Sequence, residues 1–210
     1  MELIPIGHNC LVAEHLKRLN IRQHSLPFDW VFNGAYVGFI DIIKMIETNF
    51  VDFFNYSVEV SRDDINKGND FTVNTKYDLI YYHQNYMNLE EGAIWREKLA
   101  DSIDKFRELI KYKKTCFIYS AEYDGDNPGL VSFFKESINY FKIYCEYKNI
   151  KAKLVVLHTI KDLTRLTEWE HFLREFDDDE FVTHRRLIID ESDDVWGSSI
   201  AFQKSLENIY

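Results

Sequence analysis

Residues 2–19 read ELIPIGHNCLVAEHLKRL, and this stretch decides the fold. Leu3 to Gly7 is a short run of strand type, and from about Cys10 to Leu19 the side chains Val12, His15, Leu16 and Leu19 return at helical intervals. A glycine stands at the exchange. A strand that leaves through glycine into an amphipathic helix is the opening unit of an alternating α/β chain.

Downstream the alternation continues. Val37, Ile40, Ile43 and Ile46 predict a helix over residues 36–47, and the polar stretch 55–75, with Lys67-Gly68-Asn69-Asp70 as a turn signal, predicts a loop or irregular hairpin. Tyr77 to His83 reads as a buried strand, and residues 92–112 as a helix with Trp95, Leu99, Ile103, Phe106 and Leu109 or Ile110 inward. Thr115–Ser120 and Lys153–His158 repeat the strand pattern. Between them, a turn through Asp124-Gly125-Asp126-Asn127-Pro128 leads to a helix with Asn127 as cap, Pro128 at its first position, and Leu130, Phe133, Phe134, Ile138, Phe141 and Cys145 inward. A helix over residues 162–175, a strand from Arg186 to Ile189 and a helix from about Ser198 to Ile209 complete the pattern. The expected fold is α/β: a three-layer, mostly parallel sheet with helices on both faces, and residues 1–210 forming a single domain.

Composition narrows the function classes. Apolar residues make up 46% of the chain and Pro and Gly are sparse, which excludes disorder. The net charge of −10 disfavours nucleic acid, whose phosphates need clustered Lys and Arg. No apolar run reaches membrane-span length and the first residues lack signal-peptide character, so a cytoplasmic location is expected. Cys10, Cys116 and Cys145 show no CxxC spacing and read as reduced thiols rather than disulfides or a zinc site. No glycine-rich phosphate loop is present, and the oligomeric state stays open.

Ligands of open parallel sheets bind beyond the carboxyl ends of the strands. That rule gathers Gly7, His8, Asn9 and Cys10 after the first strand, His83, Gln84 and Asn85 after the second, Asp124 and Asp126 after the third, and His158 after the fourth. Cys10 at the first turn of its helix would meet unpaired backbone N–H groups and the positive dipole end, which lower a thiol's pKa. The bland alternative is a small buried apolar filler. A thiolate enzyme needs a base, and His83, on a strand taken as a parallel neighbour of the first, is the candidate, with His8 as a substitute. His15 is expected to pack, and His24, His171 and His184 have no constellation around them.

Ser25-Leu26-Pro27-Phe28-Asp29-Trp30 reads as a rigid nonhelical loop because Pro27 restrains itself and Leu26. Asp29, between two aromatics, either orients a histidine or binds a hydroxyl-rich ligand, or acts as a turn acceptor; Ser25 and Trp30 would line the same cleft. Asp124 and Asp126 resemble the acidic pair by which glycosyltransferases hold a divalent cation and a sugar nucleotide, although a turn and helix start also accounts for them. Asp177-Asp178-Asp179-Glu180 reads as a solvated acidic loop.

Ile6 to Leu16 (IGHNCLVAEHL), then Ser25 to Trp30 (SLPFDW), then a strand ending in His83, is similar to the bacterial and viral family catalogued as putative papain-like cysteine peptidases. The resemblance runs to roughly residue 160 and is specific in the first thirty residues. It implies Cys10 as nucleophile and His83 as base, and papain-like enzymes carry that histidine on an antiparallel sheet. Three functions follow as expectations. The first is a cysteine hydrolase or acyl transferase without cofactor, with Asp29 or Asn85 orienting His83 and a small-molecule, glycan or peptide substrate. The second is a glycosyltransferase using the same cleft, the one case that would call for a divalent cation. The third is a noncatalytic binding module.

Overall fold

The computed structural model describes residues 1–60, 71–81, 91–125, 129–189 and 197–207. In chain order the elements are β1 (Glu2–Pro5), α1 (Leu11–Arg18), α2 (Phe39–Glu47), the single turn α3 (Asp52–Asn55), β2 (Ser57–Val60), β3 (Phe71–Asn74), β4 (Leu79–Tyr81), α4 (Glu91–Tyr112), β5 (Thr115–Glu122), α5 (Leu130–Tyr147), β6 (Ala152–Ile160), α6 (Leu166–Leu173), β7 (Val182–Ile188) and α7 (Ser199–Ser205). Strands β1, β5, β6 and β7 form a four-stranded sheet in that order, every pair parallel. The central pair reads TCFIYSAE and AKLVVLHTI, the near-continuous apolar run expected of strands covered on both faces.

The pleat divides those runs between two cores. Cys116 and Ile118 of β5 with Val155 and Leu157 of β6 pack beneath Leu11, Val12 and Leu16 of α1 and Phe202 and Leu206 at α7. Phe117, Tyr119 and Ala121 with Leu154 and Val156 face the opposite way, into a larger core of Phe39 and Ile42 from α2, Phe106 from α4, Phe134 and Phe141 from α5, and Trp169 and Phe172 from α6. Helices therefore cover both faces, and the architecture is the expected three-layer α/β sandwich.

One expectation is overturned. β4 is not a neighbour of β1; it pairs antiparallel with β3, which pairs antiparallel with β2, in a second sheet. The connection from Asn74 to Leu79 is the reason, because a parallel return needs a crossover of a dozen or more residues and here a short turn suffices. Asn74 builds that turn, its Oδ1 accepting from the amides of Lys76 and Tyr77 at 3.1 Å each. Phe32 and Ile80 then exchange backbone hydrogen bonds of 2.8 Å in an antiparallel bridge, tying the second sheet to the loop after Asp29.

Smaller corrections follow from local geometry. The helix expected from residue 36 begins at Phe39, leaving Val37 exposed, and Phe133 of α5 also faces outward. Helix α5 starts at Leu130 after Gly129 in the left-handed region (φ 87°), not at Pro128; Asn127 and Pro128 lie outside the described residues. The Lys67–Asp70 turn signal lies outside them too. β7 begins four residues earlier than expected, at Val182, because an edge strand carries polar residues such as His184 and Arg185 that hide its pattern.

Candidate active site at the strand-to-helix turn

The chain leaves β1 through two left-handed residues, Gly7 (φ 109°) and His8 (φ 63°). Glycine is needed at the first because a Cβ there would lie 2.9 Å from Ile42 Cδ1 in a backbone conformation that side chains resist. Gly7→Ala is accordingly expected to destabilise the fold by about 2 kcal/mol, read as a lower denaturation midpoint. An unchanged midpoint would mean that the turn relaxes.

His8 is held by a two-way link to Asn33: its carbonyl accepts from the Asn33 amide at 3.1 Å, and its Nδ1 donates to the Asn33 carbonyl at 2.9 Å. A carbonyl can only accept, so the proton sits on Nδ1 and Nε2 is left as a lone pair. That Nε2 is buried and has no hydrogen-bond partner among the described residues. Burial lowers the His8 pKa, which keeps the ring neutral. Asn9 closes the turn, its Oδ1 accepting from Leu11 N at 3.0 Å and from Ser120 Oγ at 3.1 Å. The second bond fastens the turn to β5.

Cys10 immediately precedes α1, and its carbonyl accepts the Glu14 amide at 2.9 Å. Its position matches the expectation but its acidity does not. Burial pushes the thiol up to about 11; a hydrogen bond from its own backbone pulls the other way, while the charges of Asp29 and Glu14 push it further up. Only 8% of the residue is exposed, so desolvation of a thiolate outweighs the helix terminus.

Asp29 is fully buried. Its Oδ2 accepts from Arg22 Nη2 and, at 2.8 Å, from the Leu26 amide, while Oδ1 is buried without a partner among the described residues. Desolvation raises its carboxyl to about 6 against the opposing charge of Arg22. Ser25 and Trp30 face another way. With Gln23, His24, Pro27, Trp95 and Lys98 they line an open groove of about 900 Å³ between this loop and α4, and Cys10 is not among its lining residues.

Asp124 is exposed on the loop after β5, where its backbone carbonyl accepts from Arg165 Nη1 at 2.6 Å. His83, Gln84, Asn85 and Asp126 lie outside the described residues. His158 belongs to the core instead: Tyr36 Oη lies 2.9 Å from its Nδ1, and its Nε2 is 2.8 Å from His184 Nδ1, which gives His184 the constellation it was expected to lack. His15 packs as expected, stacked on Phe202 at 4.5 Å.

The structure thus brings Gly7, His8, Asn9, Cys10 and Asp29 together, and adds Arg22, Asn33 and Ser120. The last three have no sequence signal at short range, since their partners lie 7, 25 and 111 residues away. Among the described residues no cluster of three or more His, Cys, Asp or Glu side chains is placed to hold a metal ion, and no helix is long and apolar enough to cross a membrane.

These features define an α/β protein with a buried cysteine at the turn between its first strand and first helix. The chain belongs to the family described as "putative papain-like cysteine peptidase (DUF1796)", whose sequence model matches residues 1–154. No curated protein and no solved structure matches it.

Proposed function

We propose that the chain is a papain-like cysteine enzyme, a hydrolase or acyl transferase, with Cys10 as nucleophile, His83 as base and Asp29 or Asn85 orienting the base. The observation that carries the reading is a juxtaposition. Cys10 stands at the head of α1, and β4, the strand that ends two residues before His83, is antiparallel and hydrogen-bonded through Ile80 to Phe32, three residues beyond Asp29. A cysteine at the head of a helix, and an antiparallel strand leading to His83 in the sequence, are what the papain-like reading calls for.

In this reading the imidazole takes the Cys10 proton as Sγ bonds to an acyl carbon, and the oxyanion forms beside the first-turn amides of α1. The imidazolium then protonates the leaving group as its bond to carbon breaks. Water, or another acceptor, releases the acyl group from sulfur and restores the thiol. A thiol at about 11 is only about 10⁻⁴ ionised at pH 7, so the reaction depends on that base. Gly7, His8 and Asn9 shape the acyl side, the chemistry needs no cofactor, and residues 1–210 act as one domain in the reducing cytoplasm.

The test is the pH dependence of Cys10 alkylation by iodoacetamide, with Cys116 and Cys145 as internal controls, both buried and both pushed up to about 12. If pairing with the His83 imidazole offsets the burial that otherwise holds the thiol at about 11, Cys10 should react with a midpoint below about 8.5, and His83→Ala should move that midpoint back up by about two units. A Cys10 as inert as Cys116 sinks the reading. With an inert Cys10, a thermal shift on adding nucleotide sugar and Mn²⁺ would support the glycosyltransferase reading of Asp124 and Asp126, and no shift the binding module.

A further inference from the structure

We infer that Tyr36, His158 and His184 form a latch that acid opens, tying the loop that carries Asn33 to β6 and β7. The inference stands apart from the reading of Cys10 and does not depend on it.

Three segments meet in this cluster. Tyr36 comes from the loop before α2, His158 from the carboxyl half of β6 and His184 from the edge strand β7. Tyr36 and His158 are buried, whereas His184 lines an open pocket of about 340 Å³ with Lys135, Asp177 and Asp178. Phe176 lies against both imidazoles, its ring centre 4.8 Å from His158 and 5.0 Å from His184, and Phe172 closes on Tyr36 at 5.1 Å. Aromatic rings thus shield the inner links from water.

The number of protons the cluster can hold explains the response to acid. The link from Tyr36 Oη to His158 Nδ1 (2.9 Å) and that from His158 Nε2 to His184 Nδ1 (2.8 Å) each hold one hydrogen. The Tyr36 hydroxyl has no other hydrogen-bond partner among the described residues, so it donates to Nδ1. His158 then carries its proton on Nε2 and donates it to His184 Nδ1, which leaves the His184 proton on Nε2. One added proton reverses this order and strands the Tyr36 hydrogen in the core. A second would set two N–H groups head to head at 2.8 Å, and the link breaks. Once open, both rings reach water and take up protons near 6.5.

The surrounding charges decide where the first proton goes. Asp177, Asp178 and Asp179, before β7, draw it to His184, and Lys135 of α5 opposes them. Around Tyr36 the titratable groups are Tyr119, Tyr123 and Asp124, none of them a cation. What the latch holds is the loop from Asn33 to Gly38, closed by Asn33 Nδ2 donating to the Gly38 carbonyl at 2.9 Å. A second tie, from Tyr119 Oη to the Ala35 carbonyl, contains no group that titrates in mild acid. Since Asn33 also holds His8, release of Tyr36 reaches the turn that bears Cys10.

The experiment is amide hydrogen exchange of the full chain at pH 7 and pH 5, expressed as protection factors. The reporter is the Asn33 amide, bonded to the His8 carbonyl, and the reference is the Ile6 amide, bonded to the Ile118 carbonyl at 3.0 Å. Asn33 protection is expected to fall by about twentyfold for each imidazole set free. A fall below about threefold overturns the inference. So does equal protection of Asn33 and Ile6 at both pH values, because the loop would then open only with the whole fold.

Tyr36→Phe keeps the ring and cuts the loop from His158. Its Asn33 protection should be lower at pH 7 and change less than about threefold on acidification, and a response as large as the wild type's overturns the inference. Should that variant not fold, His184→Gln carries the test, since it removes one titrating ring at the sheet edge. A pH response about tenfold smaller is expected, and an undiminished one overturns it. Proton–nitrogen correlation spectra at pH 7 should show both rings protonated on Nε2 alone; an imidazolium at either ring, or His158 protonated on Nδ1, overturns the arrangement.

Discussion

Lowering the pH from 7 to 5 is expected to cost the folded state about 3 kcal/mol, and the source is buried histidine. His158 is fully buried in contact with Tyr36 and His184, and its pKa is held well below 6.5 by desolvation and by the neighbouring ring. His184 is lowered to about 4 by burial and, more weakly, by Lys135, against the opposing charges of Asp177, Asp178 and Asp179. His8 is lowered by burial as well. In each case the folded chain takes up its proton at a lower pH than the unfolded chain, so stability present above 6.5 is lost as pH falls through the folded pKa. A fully buried histidine contributes about 2 kcal/mol to that loss by pH 5, and His184, partly open to solvent, contributes less.

Asp29 works in the opposite sense. Its carboxyl, raised to about 6, binds a proton in the folded state before the unfolded chain does, returning about 1 kcal/mol as pH falls to 5. The histidines win by number. Guanidinium chloride midpoints at pH 7, 6 and 5 should fall steadily, and His158→Gln, which does not titrate, should flatten the slope. Midpoints that stay level or rise between pH 7 and 5 would refute the account.

The legible parts of this molecule are those in which a local pattern and the fold agree. The β1–α1 turn could be read because Gly7 punctuates an apolar run and an amphipathic run only a few residues apart, and β5 and β6 because they are apolar without interruption. β4 failed as a parallel strand because three residues carry no pairing information; the length of the connection to β3 decides the partner. His184 lay hidden because its link to His158 depends on register. It pairs with Val156 in the parallel ladder, which sets it diagonally beside His158 on one face. The acidity of Cys10 was misread for a different reason: the spacing shows a helix start but not how deeply that start is buried. Arg22 and Asp29 meet only because the helix end turns the chain back and the Pro27 loop brings the carboxylate under it, and neither event is visible in composition or spacing.

Arg22→Met is expected to be the most damaging single substitution in the loop, costing about 3–5 kcal/mol, because it leaves a buried carboxylate without its counter-charge. Asp29 is fully buried and would retain only the Leu26 amide, while the loop would also lose its ties at His24 and Ser25. The penalty should depend on pH in a defined sense. Asp29 relieves it by taking up a proton, so the loss is smaller at pH 5 than at pH 8, on either side of its value of about 6. Asp29→Asn should rescue the Arg22→Met protein by about 2 kcal/mol at pH 8, since a neutral amide oxygen still accepts from Leu26 and no charge is stranded. Urea denaturation of the wild type, both single variants and the double variant measures the coupling directly. A loss below about 1 kcal/mol for Arg22→Met, or strict additivity of the two changes, would show that the pair does not tie the end of α1 to the Asp29 loop. A large coupling would mean that the end of α1 and the Asp29 loop are locked as one unit. The separation between the Cys10 thiol and the Asp29 carboxylate would then be set by folding, before any substrate arrives.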